Sequence, residues 1–517
     1  MNNLTKKIWK ITGVFALSLF LLPTSCTNLE EDTFGVVTPE TFFRNEAEAV
    51  TGLVPVYAAL RTFYNERDIR GISEVTTDAI VVPARPGWGW EDGGLWLRLA
   101  EHNWTPQHSS VTGTYRNLFS AIALANSFIL NLDNSDAVFD TKEQLVAETR
   151  FLRAFFYANL VDLYGNVPIV TAPLTDTDEL PSNDGASNRT QVAQFVVDEL
   201  NAVIPLLPAQ QTGENFGRAS KGAAQLLLAR MHLNANVYFG TGNFSDADMQ
   251  QVISLTTEVI NSGAYSLMDD YLEIFDPANE IDNPEAVLVT RYANVGGAGN
   301  NINFLSLNVH PSFQNTSPWG GFVVTADLVN SYDLEDERLK AVVVDTLLNE
   351  NGEVVMAGNV ISGEVEPVVH NRDLTDINRT GYFDGARLLK WREDPNIAAG
   401  SAGNDFIVIR FTEAYTMRAE AYLRTGDQAS ALADMNTVRA RAFEPDKPLP
   451  SLDLDLLLEE LGREFLYEAH RRTDLIRFGK WNEPWQFKLE NDPIRTLFPI
   501  PQVELDANPN LTQNPGY

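Results

Sequence analysis

Cysteine is almost absent from this chain. Cys26 is the only cysteine among 517 residues, so no disulfide can form within the chain. Histidine is also scarce, and its six copies are scattered without a ligand pair at helical spacing. Structural metal sites usually need clustered Cys or His ligands. The sequence therefore predicts no bound metal and no cofactor, and it leaves open only the presence of a structural calcium ion.

Basic residues are few relative to acidic ones. The chain has 38 Lys and Arg residues against 70 Asp and Glu residues, which gives a formal net charge of −32 at pH 7. A field of this sign repels the phosphates of nucleic acids and the headgroups of anionic lipids. We therefore predict no nucleic-acid partner and favour a neutral ligand over a polyanion.

Common catalytic signatures are missing as well. The sequence has no G-x-S-x-G nucleophile elbow, no H-E-x-x-H zinc helix and no G-x-x-x-x-G-K-[ST] phosphate loop. A glycosidase needs only two suitably spaced carboxylates, and 70 acidic residues cannot exclude such a pair. We predict a protein without catalytic residues, and a glycoside hydrolase is the remote alternative.

The amino end resembles a lipoprotein secretion signal. Lysines precede an apolar run at 11–22, which is too short for a membrane-spanning helix of about 20 residues. Pro23-Thr24-Ser25 then leads to Cys26 in the manner of a bacterial lipobox. We predict a signal peptide over 1–25, lipidation at Cys26 and a lipidated tether over 26–37. Two or more acyl chains suffice for stable membrane anchoring.

Apolar residues recur at helical spacing through much of the chain. Thr38-Pro39-Glu40 is typical of a helix start, so we predict a first helix from there to about Phe63. Thr141 and Gln144 match a capping box ahead of a predicted helix at 143–163. The other predicted helices lie at 111–132, 191–207, 220–238, 246–261 and, near the carboxyl end, 456–478.

One helix pair carries a repeat signature. Residues 418–435 follow the spacing of a tetratricopeptide unit, with Gly426 at the turn between its two helices. Between 263 and 404 the helical periodicity weakens, and short β-like runs appear at 286–290 and 342–346. We predict a loop-rich insertion there and an irregular, proline-rich tail after the last helix.

Tryptophan is concentrated in one glycine-rich stretch. Trp88, Trp90, Trp96 and Trp104 are four of the nine tryptophans in the chain. Trp319 repeats the pattern of an indole flanked by glycines. An indole on a loop offers a rigid apolar face on which the C–H groups of a sugar can stack. The alternative is that these tryptophans pack the loop onto the body, which we expect for Trp96 and Trp104.

Several longer motifs resemble the SusD/RagB family of outer-membrane nutrient-binding lipoproteins. They are RFLRAFFYANLVDLYGNVPIV at 150–170, QLLLARMHL at 225–233, RFTEAYTMRAEAYLRTGD at 410–427, GREFLYEAHRRTDLIRFGKW at 462–481 and the terminal FPIPQVELDANPNLTQNPGY. They occur in the expected order and span nearly the whole chain. Arg472-Thr473 departs from the pattern, because the family often has an aromatic residue there.

The resemblance implies a mainly α, SusD-like fold. It would consist of four tetratricopeptide-like helix pairs with a loop-rich insertion containing short strands. Residues 38–517 would form a single domain. We divide it into amino-terminal helical repeats with the tryptophan-rich loop at 38–262, the insertion at 263–404, and a carboxyl-terminal helix pair, helix and tail at 405–517.

The resemblance also implies a function. Family members are lipid-anchored in the outer membrane, exposed at the cell surface, and deliver captured oligosaccharides to a SusC-like TonB-dependent transporter. The tryptophan loop is similar to that of fructan-binding members, which makes fructan a candidate glycan. A peptide cargo, or a scaffolding role at the same transporter, is the alternative. Glu30, Glu31 and Asp32 resemble a surface-export signal of Bacteroidetes lipoproteins, or form an ordinary solvated tether.

The binding site implied by the resemblance is a shallow aromatic platform with a few polar partners. Trp90 is the expected platform residue, with Trp88 or Trp319 as a second wall. The candidate polar contacts of the ligand are Asp78, Arg85 and Asp92.

Overall fold

The computed structural model describes residues 43–63, 65–85, 90–175, 179–184, 188–279, 282–293, 299, 310, 312–313, 318–349, 351–359, 362–381, 383–397, 402–488 and 493–517. The signal peptide, Cys26, the tether and Trp88 lie outside the described residues. What the sequence predicts for them therefore stays a prediction.

Helices make up most of the regular structure in the described residues. They are α1 (Glu46–Phe63), α2 (Ile69–Glu74), α3 (Leu95–Ala100), α4 (Ser109–Asp133), α5 (Lys142–Leu163), α6 (Asn188–Val203), α7 (Lys221–Leu233), α8 (Ala235–Tyr238), α9 (Asp246–Asn261), α10 (Ala326–Ser331), α11 (Thr412–Thr425), α12 (Gln428–Arg439), α13 (Leu454–Glu464), α14 (Arg471–Arg477) and α15 (Gln502–Ala507). In the part of the chain that the structure describes, none of them combines the length and apolar character that crossing a bilayer requires.

The longer helices pack on one another in chain order. Helix α1 packs on α4, α4 on α5, α5 on α6, α6 on α7, α7 on α9, α9 on α11, and α11 on α12. This order gives four helix pairs, α1/α4, α5/α6, α7/α9 and α11/α12, and contacts between neighbouring pairs make their apolar faces continuous. The predicted mainly α fold of four helix pairs is confirmed.

Local chemistry starts and ends several of these helices. Ser220, Ser245 and Asp427 each accept a hydrogen bond from a main-chain amide in the first turn of α7, α9 and α12. Gly426 ends α11 with a φ of 88°, in the left-handed region that favours glycine. The chain thereby turns sharply, and α12 packs back onto α11 as the tetratricopeptide spacing predicts.

The strands are short and form antiparallel pairs. They are β1 (Ile80–Val81), β2 (Ala286–Thr290), β3 (Val323–Val324), β4 (Val342–Val343), β5 (Asp345–Thr346), β6 (Met356–Gly358), β7 (Val365–Pro367), β8 (Val369–His370), β9 (Arg387–Leu388) and β10 (Phe406–Arg410). Strand β1 pairs with β3, β2 with β10, β4 with β9, β5 with β8, and β6 with β7. The predicted run at 286–290 is confirmed. The run at 342–346 divides into β4 and β5 because each half has a different partner strand.

A continuous hydrophobic core extends from Phe43, ahead of α1, to Ile500, near the tail. A smaller core around Leu347, Val355 and Val368 lies among the strands of the insertion. The division of the chain at 263 and 405 remains our proposal for its organisation.

Three local predictions are wrong. The predicted helix start at Thr38-Pro39-Glu40 lies outside the described residues, but the helix that ends at Phe63 does not extend back to it, because 43–45 are not helical. Helix α1 begins at Glu46, where the Asn45 side chain accepts from the amide of Glu48 (3.0 Å) and caps the helix. The capping box at α5 does not form, since the Thr141 hydroxyl donates to Glu46 (2.7 Å) and Gln144 donates to Glu148 (3.0 Å). The proline-rich tail is also not wholly irregular, because it contains α15.

The single helix predicted at 456–478 is two helices, α13 and α14, which is a fourth correction. Between them, Tyr467 and Ala469 both adopt a φ of 65° and break the helical path. Long-range partners stabilise this backbone: Ala469 donates its amide to Glu74 (2.6 Å), and Glu468 binds the Arg410 guanidinium (2.7 Å). Tertiary contacts thus override a continuous helical periodicity.

Buried ion pairs hold the insertion against the carboxyl-terminal helices. Arg410, at the end of β10, contacts the carboxylates of Glu285 (2.7 Å), Glu464 (3.2 Å) and Glu468 (2.7 Å). Arg441 bridges Glu285 and Glu464, each at 2.5 Å. All five side chains are almost completely removed from solvent. We call these five residues the buried ion network.

We expect Arg410→Met to lower the free energy of unfolding by about 3–5 kcal/mol, because it leaves the three buried carboxylates without their shared cation. The measurement is denaturant unfolding followed by circular dichroism. Lys447→Met is the control, since Lys447 pairs with Asp333 and Glu335 at the surface and should leave the unfolding midpoint unchanged. A loss for Arg410→Met no larger than that of the control would contradict the role of the network.

Glu74 makes stability depend on pH. Burial raises the pKa of its carboxyl from 4.5 to about 8, against the lowering effect of the Ala469 amide. The unfolded chain loses this proton near pH 4.5 and the folded chain keeps it until about pH 8, so the free energy of unfolding falls as pH rises between these values. Glu74→Gln removes this fall in the free energy of unfolding, because glutamine carries no proton to lose. We expect it to be more stable than wild type at pH 8 and similar at pH 4, and an equal difference at both pH values would contradict the assignment.

Candidate functional site

Two stretches that are distant in the chain meet at the predicted site. Strand β1 lies antiparallel to β3, with Ile80 opposite Val324 and Val81 opposite Val323. All four side chains are buried. This pairing joins the tryptophan-rich loop to the loop that carries Trp319, and main-chain hydrogen bonds hold the two together.

An aromatic cluster lies where these loops meet. We call Trp90, Trp96, Trp319 and Phe322 the tryptophan junction. The ring centroid of Trp90 lies 6.2 Å from those of Trp96 and Trp319 and 6.1 Å from that of Phe322. The Trp90 and Trp319 rings are inclined at 71°, an edge-to-face arrangement that aromatic quadrupoles favour. The Trp90 Nε1–H also donates to the carbonyl of Trp319 (3.2 Å). The structure therefore brings together two of the predicted site residues.

The members of the junction differ in their access to solvent. Trp96 and Phe322 are buried, Trp90 is partly buried, and the Trp319 side chain is 47% exposed. Trp319 is the one aromatic residue among the exposed large hydrophobic side chains of the described chain. Trp319, predicted as a second wall of the site, thus presents more of its indole to solvent than Trp90, the predicted platform residue.

Asp78 is held by an ion pair. Its carboxylate receives two hydrogen bonds from the Arg471 guanidinium, both of 2.7 Å, in a bidentate arrangement. Burial lowers the pKa of Arg471, but the Asp78 carboxylate outweighs that effect, and the net shift is upward. Asp78 therefore fixes the start of the tryptophan-rich loop to α14, and about a quarter of its side chain remains exposed.

Arg85 and Asp92 also have partners within the protein. Arg85 is fully buried, and its Nη1 donates to the carbonyl of Gly321 (3.0 Å). One oxygen of Asp92 accepts the Nε1–H of Trp96 (2.7 Å), and the other lies 3.1 Å from the Arg67 guanidinium. Arg85 thus supports the junction from its interior through Gly321, and Asp92 supports it from the side through Trp96. In this conformation Arg85 has no exposed surface with which to meet a ligand.

The packing role expected for Trp96 and Trp104 is confirmed. Each is only 1% exposed. The Trp104 Nε1–H donates to the phenol oxygen of Tyr517 (2.8 Å), and the Arg495 guanidinium lies 5.5 Å from the Trp104 ring. Trp88 lies outside the described residues, and its role as a second wall stays a prediction.

Three residues of the site escaped sequence analysis. Phe322 belongs to the aromatic cluster, Arg471 holds Asp78, and Gly321 accepts from Arg85 and contacts the Trp90 ring. The Gly-Gly pair after Trp319 was a local signal for close backbone approach. Arg471 had no such signal, because its partner lies 393 positions away in the chain.

The described residues offer no candidate metal centre. Among them, no group of three or more His, Cys, Asp or Glu side chains is arranged to hold a metal ion. Burial lowers the pKa of His102 to about 3 and that of His310 to about 4, so both are neutral side chains at physiological pH. A cavity of about 120 Å³ lies between α5, α7, α11 and α14, but its charged lining is ion-paired, as Arg230 is with Glu413 (2.6 Å).

Two family profiles match the chain. The profile described as SusD family matches residues 284–517. The profile described as starch-binding associating with outer membrane matches residues 72–233. The chain belongs to the SusD/RagB family.

Relatives within this family are similar along most of their length. The starch-binding protein SusD of Bacteroides thetaiotaomicron is 28% identical over 476 residues, which cover 83% of each chain. SusD-like protein P25 of Formosa agariphila is 27% identical over 524 residues, which cover 95% of this chain and 96% of that protein. SusD-family membership places the chain among binding proteins, in line with the prediction that it is not an enzyme.

Solved structures share the fold. A laminarin binding SusD-like protein superposes with a TM-score of 0.74 at 24% identity, covering 92% of this chain and 100% of the other. Surface glycan-binding protein A from Bacteroides thetaiotaomicron in complex with laminarihexaose superposes with a TM-score of 0.71 at 21% identity, covering 91% and 99%. At these identities the likeness establishes the fold.

Proposed function

We propose that this protein is a cell-surface glycan-binding lipoprotein of the outer membrane. It captures oligosaccharides at the tryptophan junction and delivers them to a SusC-like TonB-dependent transporter. Family membership supports the general role, since relatives are named for binding starch or laminarin. Fructan remains the glycan suggested by the sequence of the tryptophan-rich loop.

The half-exposed indole of Trp319 carries the proposal for the site. An exposed indole is costly to leave in water, and Trp90 contacts this one edge-to-face. Trp96 and Phe322 pack in turn against Trp90. An indole face suits the C–H face of a pyranose or furanose ring. We propose Trp319 and Trp90 as the stacking residues, with Trp88 as a further wall.

Polar groups beside the junction supply the remaining interactions. The Asp78 carboxylate is partly exposed and already oriented by Arg471, so it can accept hydrogen bonds from sugar hydroxyls. Asp92 is oriented in the same way by Trp96 and Arg67. We propose that Arg85 acts indirectly, since it is buried and positions the main chain of the Trp319 loop through Gly321.

We expect Trp319→Ala to weaken glycan binding by about 2 kcal/mol or more, because a central aromatic anchor typically contributes that much. Trp90→Ala should have a loss of the same order. The measurement is calorimetry on the full chain in detergent with laminarin, starch, levan, inulin and xylan. Leu124→Ala is the matched control, since Leu124 is 41% exposed on α4 and should not alter affinity.

Binding that survives both tryptophan substitutions would remove the junction from the site. If the folded wild-type chain binds none of the five glycans, a peptide cargo becomes the better hypothesis. Binding of levan and inulin alone would support fructan as the ligand, and binding of laminarin or starch alone would argue against it.

The membrane anchor gives a separate prediction. We propose that Cys26 is lipidated and becomes the first residue of the mature chain once residues 1–25 are removed. Cys26→Ala should move the protein from the membrane fraction to the soluble fraction of cells that lack the transporter gene, because the acyl chains are then lost. Fractionation followed by immunoblotting measures this. Membrane retention of the variant in those cells would show that another element anchors the chain.

A further inference from the structure

Gly321 occupies the tightest position in the tryptophan junction. A Cβ atom built on Gly321 would lie 2.3 Å from both Cη2 and Cζ2 of Trp90 and 2.6 Å from its Cζ3. Carbon atoms in van der Waals contact lie about 3.5–4.0 Å apart. The Trp90 ring therefore lies directly against the Gly321 main chain, and any side chain at this position would displace one or the other.

The obstacle at Gly321 is the Trp90 ring and not the backbone. Gly321 is absent from the glycines that adopt a positive φ, so alanine fits its local conformation. Gly320, its neighbour, has a φ of 61° and does require the left-handed region. Gly321→Ala is thus a probe that acts on the Trp90 contact without straining the main chain.

Neighbouring side chains and main-chain hydrogen bonds restrict both partners of this contact. Trp90 is bounded on its other sides by Trp96 and Phe322, which are both buried. The Gly321 carbonyl accepts from the buried Arg85 guanidinium (3.0 Å), and β3 follows directly in pairing with β1. A clash at this point must therefore be relieved through the Trp90 side chain or through the exposed end of the Trp319 loop.

Trp90 is in turn coupled to Trp319. Its Nε1–H donates to the Trp319 carbonyl (3.2 Å), and the two rings lie 6.2 Å apart at 71°. A shift of the Trp90 ring changes both the hydrogen bond and the ring contact. We propose that Gly321 is a positioning residue of the glycan site: it seats the Trp90 indole, and through Trp90 it sets the orientation of the exposed Trp319 indole.

This inference rests on the proposed function and adds Gly321 to the same site as a positioning residue. It also gives Trp90 a second role beside stacking, which is to hold Trp319 in place. Gly321 itself touches no ligand. Its effect on affinity should accordingly vanish when Trp90 is absent.

The test is a double-mutant cycle on the full chain in detergent, with laminarihexaose, maltohexaose and inulin as probes in calorimetry. We expect Gly321→Ala to weaken binding by about tenfold or more, and to cause no further loss in a Trp90→Ala background. Gly358→Ala is the matched control, because a Cβ there meets nothing within 4 Å and Gly358 also has no positive φ. Equal losses from Gly321→Ala in both backgrounds would overturn the proposal.

A second measurement needs no ligand. Two indoles at this separation couple their intense far-ultraviolet transitions, so the far-ultraviolet circular dichroism of wild type minus Trp319→Phe should contain a couplet. We expect Gly321→Ala to change that couplet and Gly358→Ala to leave it intact. An unchanged couplet in Gly321→Ala would overturn the positioning role. If Trp319→Ala retains full affinity, the proposed glycan site fails, and the couplet still decides whether Gly321 positions Trp319.

Discussion

The fold depends on charges that are buried together. Arg410 and Arg441 share the carboxylates of Glu285, Glu464 and Glu468, and these residues come from the insertion, from the strand before α11, and from the carboxyl-terminal helices. An unpaired charge in such a place costs several kcal/mol. The segments are therefore stable only in an arrangement that satisfies all five groups at once, which favours one packing of the insertion over others.

The same region reaches the candidate site. The turn between α13 and α14 carries Tyr467, whose ring lies 5.3 Å from that of Phe322 in the tryptophan junction. The next helix begins at Arg471, which holds Asp78. The buried ion network and the tryptophan junction thus belong to one continuous region of packed side chains. This connection explains how loops with little regular structure can keep a defined geometry.

Sequence patterns correctly predicted those bounds of helices and strands that interactions within the segment determine. Helix α9 and strand β2 have the predicted bounds, because periodicity and caps are encoded within the segments themselves. The break at Tyr467 was not predictable, since the partners that stabilise it are distant in the chain. At the site, the glycine-flanked pattern predicted that Trp90 and Trp319 lie on loops, but it did not predict the buried state of Arg85, which depends on how the loops pack. The family resemblance favoured Trp90 as the platform residue, and the greater exposure of Trp319 could not be predicted because it depends on the same packing.

The residues that hold the tryptophan junction differ from the residue that it exposes. Main-chain pairing of β1 with β3 and the buried Arg85 fix the loops, whereas Trp319 contributes only part of its surface to packing. In the proposed site, stability and ligand choice would therefore be encoded at separate positions. Substitutions at exposed positions such as Trp319 can accumulate over evolution, or be introduced by design, with little effect on folding. A single scaffold can in this way acquire new glycan preferences while its interior stays the same.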